Sequence, residues 1–195
     1  SVEEVAMKGR HNIGNALAAL ALGHAAGLPI VSMLETLRTF KGLPHRCEAI
    51  ATIDNVSYIN DSKGTNIGAT LAAIEGFGSD SYKNLLLIAG GQGKGQDFDG
   101  LKEAADSFVK CGFLYGEDAQ QLEDALHSVT KVYRADSLVE AVAVAKSAAR
   151  PGDIVLLSPA CASFDSFTGF EERGHCFSQA VLSPVKTGSR EGMTS

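Results

Sequence analysis

The chain has 195 residues, of which 45% are hydrophobic and 21% charged, the composition of a folded globular protein. Its 17 Lys and Arg against 23 Asp and Glu give a formal charge of -6, which argues against a nucleic-acid partner. The uncharged apolar stretches are far shorter than the roughly 20 residues that span a bilayer, so we expect no membrane partner either.

The N-terminal part is predicted to be a helical hairpin. Apolar residues recur at helical spacing over residues 12–28, with Asn12 as the expected N-cap and glycine and proline at positions 27 and 29 as the stop. The pattern repeats over residues 31–40 and is then broken by Gly42 and Pro44. We therefore place a domain boundary near Pro44, with residues 1–44 as a helical unit too small to be a domain by itself.

From residue 45 onward, strand and helix patterns alternate. Two short strands, at 49–53 and 56–59, flank a tight Asp54-Asn55 turn, and further apolar runs of strand length lie at 85–89, 112–115, 129–133 and 154–157. Helical patterns lie at 67–77, 101–109, 119–126, 138–148 and 167–182. This alternation predicts an α/β fold over residues 45–185, with a Rossmann-like, mainly parallel sheet flanked by helices. Residues 186–195 are polar and are expected to be disordered.

The four cysteines, at positions 47, 111, 161 and 176, fit no metal-binding or redox spacing. We expect free thiols. The N-terminus is polar and is not followed by the apolar stretch of a secretory signal. Both features predict a cytoplasmic protein.

Three loops rich in small and polar residues follow three of the predicted strands, at 60–66, 90–95 and 158–163. In a parallel α/β sheet, ligands bind outside the carboxyl ends of the strands, where loop amides and helix N-termini converge. We therefore expect the three loops to share one edge of the sheet and to form the ligand site.

The glycine-rich loop at 90–95 matches neither common phosphate-binding motif. A P-loop would need a hydroxyl residue after Lys94, where Gly95 stands, and a dinucleotide fingerprint starting at Gly91 would need glycine at Gln96. Lys94 is nevertheless a cation on a loop whose backbone a ligand can approach, which favours a carboxylate or a phosphate. A solvated lysine on a surface turn is the alternative.

Other candidate residues lie before and within the first polar loop. Asp61 and Lys63 pair a carboxylate for hydroxyl groups with a cation for phosphate, although an Asx-turn followed by a helix cap would explain them equally well. Asn12 and Asn15 are three residues apart and share a helix face, where a pair of amides can read an adenine edge. Arg46 follows the predicted boundary, where a guanidinium can bridge a ligand held between domains.

Four segments taken together resemble the Mur ligase family. They are Gly9-Arg-His11-Asn12-Ile-Gly-Asn15, Gly42-Leu-Pro44-His45-Arg46, Asn60-Asp-Ser-Lys-Gly-Thr-Asn66 and Leu157-Ser-Pro-Ala-Cys-Ala-Ser163. The resemblance runs in order from about residue 8 to residue 182. The last segment is similar to that of the D-glutamate-adding member, whereas the Asp-Asn-Pro-Arg motif of the diaminopimelate-adding member is absent from the sequence.

The resemblance implies a ligase of three domains, of which this chain would contain the end of the central ATPase domain and the whole C-terminal domain. The family joins an amino acid to a UDP-sugar acid through an acyl phosphate in peptidoglycan synthesis. ATP and Mg²⁺ are the implied cofactors, with Mg²⁺ bound mainly by the preceding part of the protein. D-glutamate and UDP-N-acetylmuramoyl-L-alanine are the implied substrates.

The resemblance also implies roles for individual residues. Asn12 and Asn15 would face adenine, Arg46 and Asp61 the ribose and phosphates, and Lys63 the phosphate region, while Thr65, Lys94, Ser163, the backbone at Phe164, and Phe170 would hold D-glutamate. No catalytic or metal-binding residue is expected in this chain, so we expect the chain alone to be inactive. The alternatives are a non-catalytic amino-acid or nucleotide-binding module, or a related ligase such as a folylpolyglutamate synthase.

Overall fold

Six strands and seven α-helices make up the computed structural model, which describes residues 1–184. The strands are β1 (Glu48–Ile53), β2 (Val56–Asn60), β3 (Leu85–Gly90), β4 (Val109–Tyr115), β5 (Lys131–Arg134) and β6 (Ile154–Leu157). The helices are α1 (Arg10–Ala25), α2 (Ile30–Thr39), α3 (Ile67–Phe77), α4 (Lys102–Phe108), α5 (Ala119–Leu126), α6 (Leu138–Ala148) and α7 (Phe170–Leu182). The predicted tail at 186–195 lies outside the described residues.

The strands form a single sheet in the order β1-β2-β6-β3-β4-β5. Only β1 and β2 pair antiparallel, through a hairpin whose turn residues Asp54 and Asn55 have φ of 50° and 60°, as a type I′ turn requires. All other pairs are parallel, so the predicted mainly parallel α/β fold is confirmed. Because β2, β6 and β3 are neighbours and run in the same direction, the loops that follow them leave the sheet at the same edge.

The core lies on both faces of the central strand β3, all six residues of which are buried. Leu85 and Leu87 pack under α3, α4 and α5, whereas Leu86 and Ile88 face α6 and α7. Each buried leucine or isoleucine stabilises the fold by roughly 1.5–3 kcal/mol relative to an exposed one. This two-sided burial makes the sheet a rigid support for the loops at its carboxyl edge.

Several element boundaries differ from the sequence prediction. Helix α1 starts at Arg10 with Gly9 as N-cap, so the prediction that Asn12 caps this helix is wrong; the Asn12 amide instead donates 2.6 Å back to the Lys8 carbonyl. The helix predicted at 101–109 is α4 preceded by a 3₁₀ turn, Phe98–Leu101, and Val109 already belongs to β4. Helix α7 starts three residues later than predicted.

The apolar stripe of α1 is left largely uncovered. Ala16 is the one buried residue of that helix, while Leu17 and Leu22 are 62% and 73% exposed. Helix α2 has no buried residue. None of the helices described in residues 1–184 combines the length and apolarity needed to cross a membrane.

Candidate ligand-binding site

The loops that follow β2, β3 and β6 are joined to one another by backbone hydrogen bonds. The Gly90 amide donates to the Pro159 carbonyl at 3.0 Å, and Gln92 and Ala162 exchange two N–H···O bonds of 3.0 and 2.9 Å. The Ala160 amide donates 2.9 Å to Gly64. The predicted edge of three loops is therefore one connected surface, which we call the rim (residues 60–66, 90–95 and 158–163).

Two glycines make this close approach possible. Gly90 and Gly91 have φ of 138° and 123°, which side chains rarely adopt. A Cβ atom at Gly90 would collide with the Tyr115 carbonyl oxygen, and one at Gly91 with the carbonyl oxygen of Ala162. Close packing against β4 and against the 158–163 loop therefore explains the glycines at positions 90 and 91.

A buried guanidinium holds the three loops from below. Arg173 of α7 is completely buried. It donates to the Ser62 hydroxyl at 3.0 Å and the Ser62 carbonyl at 2.9 Å, to the Cys161 carbonyl at 3.0 Å and to the Gly90 carbonyl at 3.4 Å. One side chain thus contacts a residue of every rim loop. This role is not predictable from the sequence, because Arg173 follows two glutamates in a pattern typical of a solvated helix start.

The five residues assigned to the nucleotide line one cavity of about 190 Å³. They are Asn12, Asn15, Arg46, Asp61 and Lys63, contributed by α1, the segment before β1 and the loop after β2. The Asn15 amide donates 3.0 Å to Asn12 Oδ1, so the two side chains share a helix face as predicted. The structure brings the set together, while the role of each residue toward a ligand stays a prediction.

Asp61 is held firmly at the edge of this cavity. Its Oδ2 accepts from the Ser158 hydroxyl at 2.7 Å and its Oδ1 from the Cys47 amide at 3.2 Å. Burial raises the pKa of Asp61 to about 6, although both hydrogen bonds act in the opposite direction. The carboxylate is therefore pre-oriented, with each of its oxygens already accepting a hydrogen bond.

The residues assigned to the amino acid do not line this cavity: Thr65, Lys94 and Ser163 lie elsewhere on the rim, Phe164 directly follows it, and Phe170 begins α7. Lys94 is exposed, and its ammonium lies 5.5 Å from the ring centre of Phe164, which is itself 64% exposed. Ser163 is buried and Thr65 half-buried. The structure therefore pairs Lys94 with Phe164, the residue that follows Ser163.

Lys63 connects the two groups of residues. Its ammonium lies 3.7 Å from the ring centre of Phe170, at the start of α7. The Lys63 amide donates 3.0 Å to the carbonyl of His45, whose φ is 61° and whose ring lies 3.1 Å from the Asn60 amide. Burial lowers the pKa of His45, which favours its neutral form. His45 thus helps to hold Lys63 between the cavity and Phe170.

Cations gather at the rim although the chain carries a formal charge of -6. Lys63 and Lys94 belong to it, Arg46 lies beside it and Arg173 underneath, together with the carboxylates of Asp61 and Asp118. The cations suit a ligand that carries carboxylates or phosphates. Within residues 1–184, no three His, Cys, Asp or Glu side chains lie close enough to hold a metal ion.

Comparisons with known proteins identify the family of the chain. Residues 45–161 match the family model of the Mur ligase glutamate ligase domain. Over 181 residues the chain is 55% identical to the UDP-N-acetylmuramoylalanine–D-glutamate ligase of Acinetobacter baylyi, a match covering 91% of this chain and 40% of that protein.

Solved structures share the fold at low sequence identity. The UDP-N-acetylmuramate-alanine ligase MurC of Thermotoga maritima superposes with a TM-score of 0.60 at 21% identity, over 78% of this chain and 35% of that one. The Mycobacterium tuberculosis folylpolyglutamate synthase complexed with ADP superposes with a TM-score of 0.64 at 17% sequence identity. This match covers 91% of this chain and 42% of that one. The chain spans about 40% of the length of the curated relatives it matches. By the family model and the identity to its relatives, the chain belongs to the Mur ligase family.

Proposed function

We propose that this chain is the nucleotide- and amino-acid-binding part of a cytoplasmic, ATP-dependent ligase that adds D-glutamate to UDP-N-acetylmuramoyl-L-alanine in peptidoglycan synthesis. The observation that carries the proposal is a cavity lined by Asn12, Asn15, Arg46, Asp61 and Lys63, whose last two residues belong to the same hydrogen-bonded rim as the loop bearing Lys94. The name of the Acinetobacter relative, at 55% identity, supports D-glutamate as the amino acid.

The cavity residues suit a nucleotide. The amides of Asn12 and Asn15 offer the donors and acceptors that an adenine edge needs. The Arg46 guanidinium and the Lys63 ammonium supply positive charge for ribose phosphates. Two of the structures related to this chain by fold contain ADP, which is consistent with this assignment.

Magnesium does not fit the described residues. Asp61 is the one carboxylate among the residues that line the cavity, and each of its oxygens already accepts a hydrogen bond. Mg²⁺ prefers several oxygen ligands in octahedral geometry. We therefore assign the metal of this reaction to the part of the longer protein that precedes this chain.

The proposed chemistry has two steps. The carboxylate of the UDP-sugar substrate takes the γ-phosphoryl group of ATP and releases ADP; the amine of D-glutamate then attacks the resulting carbonyl, an amide forms and phosphate leaves. In this scheme Lys94 holds the side-chain carboxylate of D-glutamate while its amine attacks. Lys63 lies between the nucleotide and the amino acid, where its charge offsets the repulsion between two anionic substrates. Positioning of this kind lowers the entropic part of the barrier.

A phosphate-release assay on the full-length protein tests the proposal. With UDP-N-acetylmuramoyl-L-alanine and Mg-ATP, we expect turnover with D-glutamate and background with L-glutamate. Turnover only with a folate acceptor would contradict the proposal and favour a folylpolyglutamate synthase. Nucleotide or amino-acid binding without any turnover would favour a non-catalytic module.

A further inference from the structure

Lys94 sits in a tight turn with a backbone conformation that is unfavourable for a lysine. The Gln96 amide donates 3.2 Å to the Gly93 carbonyl and closes a four-residue turn. The two central residues, Lys94 and Gly95, have φ of 55° and 74°, the left-handed pattern of a type I′ turn. A non-glycine residue adopts this conformation only where its surroundings enforce it.

Asp118 fixes the start of this turn. The Gly93 amide donates to Asp118 Oδ2 at 2.6 Å, a charge-assisted hydrogen bond. The Gln121 side-chain Nε2 donates to Asp118 Oδ1 at 2.5 Å, and the Asp118 backbone amide donates to the Gly91 carbonyl at 3.0 Å. Asp118 is the N-cap residue of α5, yet its side chain makes no capping bond to that helix. One carboxylate oxygen instead bonds the glycine-rich loop, and the other bonds the Gln121 side chain.

Gln96 holds the turn from the opposite side. Its Nε2 donates to the Gly93 carbonyl at 2.9 Å and to the Ala160 carbonyl at 3.1 Å. Its Oε1 accepts from the Ile67 amide, at the start of α3, at 3.3 Å. Gln96 therefore joins the turn that carries Lys94 to another rim loop and to a helix packed on the core.

We propose that Asp118 and Gln96 are positioning residues that hold the Gly93–Gln96 turn and direct the Lys94 ammonium toward the side-chain carboxylate of an acidic substrate. The left-handed turn sets the direction in which the Lys94 side chain leaves the backbone, toward Phe164. If the turn relaxes, the ammonium is no longer held in place and selectivity for an acidic amino acid falls. The identity of the substrate in this inference rests on the proposed function, whereas the restraint on the turn does not.

The restraint is tested by hydrogen exchange of the 91–96 segment in the full-length protein. We expect Asp118→Ala to accelerate exchange of the Gly93 amide at least tenfold, since that amide loses its acceptor. The matched control is Asp124→Ala, which removes an exposed carboxylate from the same helix that contacts only the Gln120 side chain. Exchange in the control should equal that of the wild type.

The positioning role is tested by steady-state kinetics with D-glutamate. Asp118→Ala and Gln96→Met should each raise the KM for D-glutamate at least fivefold and leave the KM for ATP within a factor of about three. Asp118→Asn, which retains an oxygen acceptor for Gly93, should recover most of the loss. In a Lys94→Ala background, Asp118→Ala should change the KM for D-glutamate by less than twofold, because it acts through Lys94.

The inference is overturned if Asp118→Ala leaves the exchange of the Gly93 amide unchanged, or if exchange accelerates and the KM for D-glutamate does not change. It is also overturned if the fold-changes in this KM caused by Lys94→Ala and Asp118→Ala simply multiply in the double variant. A merely structural role would shift the KM values for both substrates together. A full-length wild type that does not use D-glutamate contradicts the proposed function instead, and the exchange experiment then still decides whether Asp118 restrains the turn.

Discussion

Burial of the Asp61 carboxylate makes the stability of the fold depend on pH. Its pKa is about 6 in the folded chain against an ordinary value of 3.8, so between these values the folded state binds a proton that the unfolded state releases. The free energy of unfolding therefore falls as the pH rises through this window. Two pKa units correspond to about 3 kcal/mol at most.

We expect Asp61→Asn to lose less stability than the wild type between pH 4.5 and pH 7.5, by on the order of 2 kcal/mol, because an amide does not ionise. Urea unfolding at the two pH values measures this difference, and the comparison cancels the other titrating groups. An equal pH dependence in both proteins would show that the Asp61 carboxylate is better solvated than the structure indicates.

The contribution of the buried Arg173 side chain to stability can be tested in the same way. Arg173→Met keeps the apolar volume but leaves the carbonyls of Ser62 and Cys161 without their donor. We expect a loss of roughly 3 to 5 kcal/mol in unfolding free energy, measured by denaturant titration. The control is Arg150→Met, at an exposed arginine whose side chain bonds only its neighbouring carbonyl, and it should cost less than about 0.5 kcal/mol. Equal losses would rule out a special role for Arg173.

The sequence predicted those site residues whose signal is local. Asn12 and Asn15 are recognised by their spacing on one helix, and Asp61 and Lys63 by their place directly after a strand. Arg173, Gln96 and Asp118 were missed because their partners are carbonyl and amide groups brought close by the fold. The Ser62 hydroxyl that Arg173 bonds, for example, is 111 positions away in the sequence.

Among the elements, the glycine-rich loop depends most on close backbone contact. Gly91→Ala places a methyl group against the Ala162 carbonyl at φ of 123°, whereas a Cβ at Gly95 would meet no atom within 4 Å at φ of 74°. We expect Gly91→Ala to lower the unfolding free energy by roughly 3 kcal/mol or more, and Gly95→Ala by about 1 kcal/mol. Thermal melting of both variants checks this order. Equal losses of unfolding free energy in the two variants would mean that backbone strain, and not the contact with Ala162, determines the cost.

Helix starts were predicted correctly where a polar residue precedes the helix. The limits of α3, α5 and α6 were predicted correctly; the caps of α3 and α6, Asn66 and Ser137, each accept a hydrogen bond from the first helical turn, whereas Asp118 before α5 does not. Helices α1 and α7 start after Gly9 and Gly169, which make no side-chain cap, so the sequence does not mark where they begin. The side chain of Glu172 instead bonds Thr168 before α7 starts.

For the molecule as a whole, the chain spans about 40% of the length of its relatives, and α1 and α2 expose apolar side chains. The chain carries no P-loop motif, since Gly95 stands where that motif needs a hydroxyl. We expect the isolated chain to give background phosphate release with UDP-N-acetylmuramoyl-L-alanine, D-glutamate and Mg-ATP. Turnover by the chain alone would contradict the proposed division of labour.

We propose that the nucleotide is held in the cavity near Arg46 and the acidic amino acid on the rim near Lys94. Loss of one partner of a desolvated charge pair costs about 2 to 5 kcal/mol, whereas loss of an exposed, unpaired lysine costs little. Lys102→Ala, at a surface lysine paired with Asp99, is the matched control and should leave the kinetics unchanged.

The most direct measurement is the kcat/KM of the full-length protein for D-glutamate and for ATP in Lys94→Ala and in Arg46→Ala. We expect Lys94→Ala to lower kcat/KM for D-glutamate at least tenfold, while the KM for ATP stays within a factor of about three. We expect Arg46→Ala to weaken mainly the binding of ATP. An unchanged dependence on D-glutamate in Lys94→Ala would remove this lysine, and the glycine-rich loop with it, from the amino-acid site.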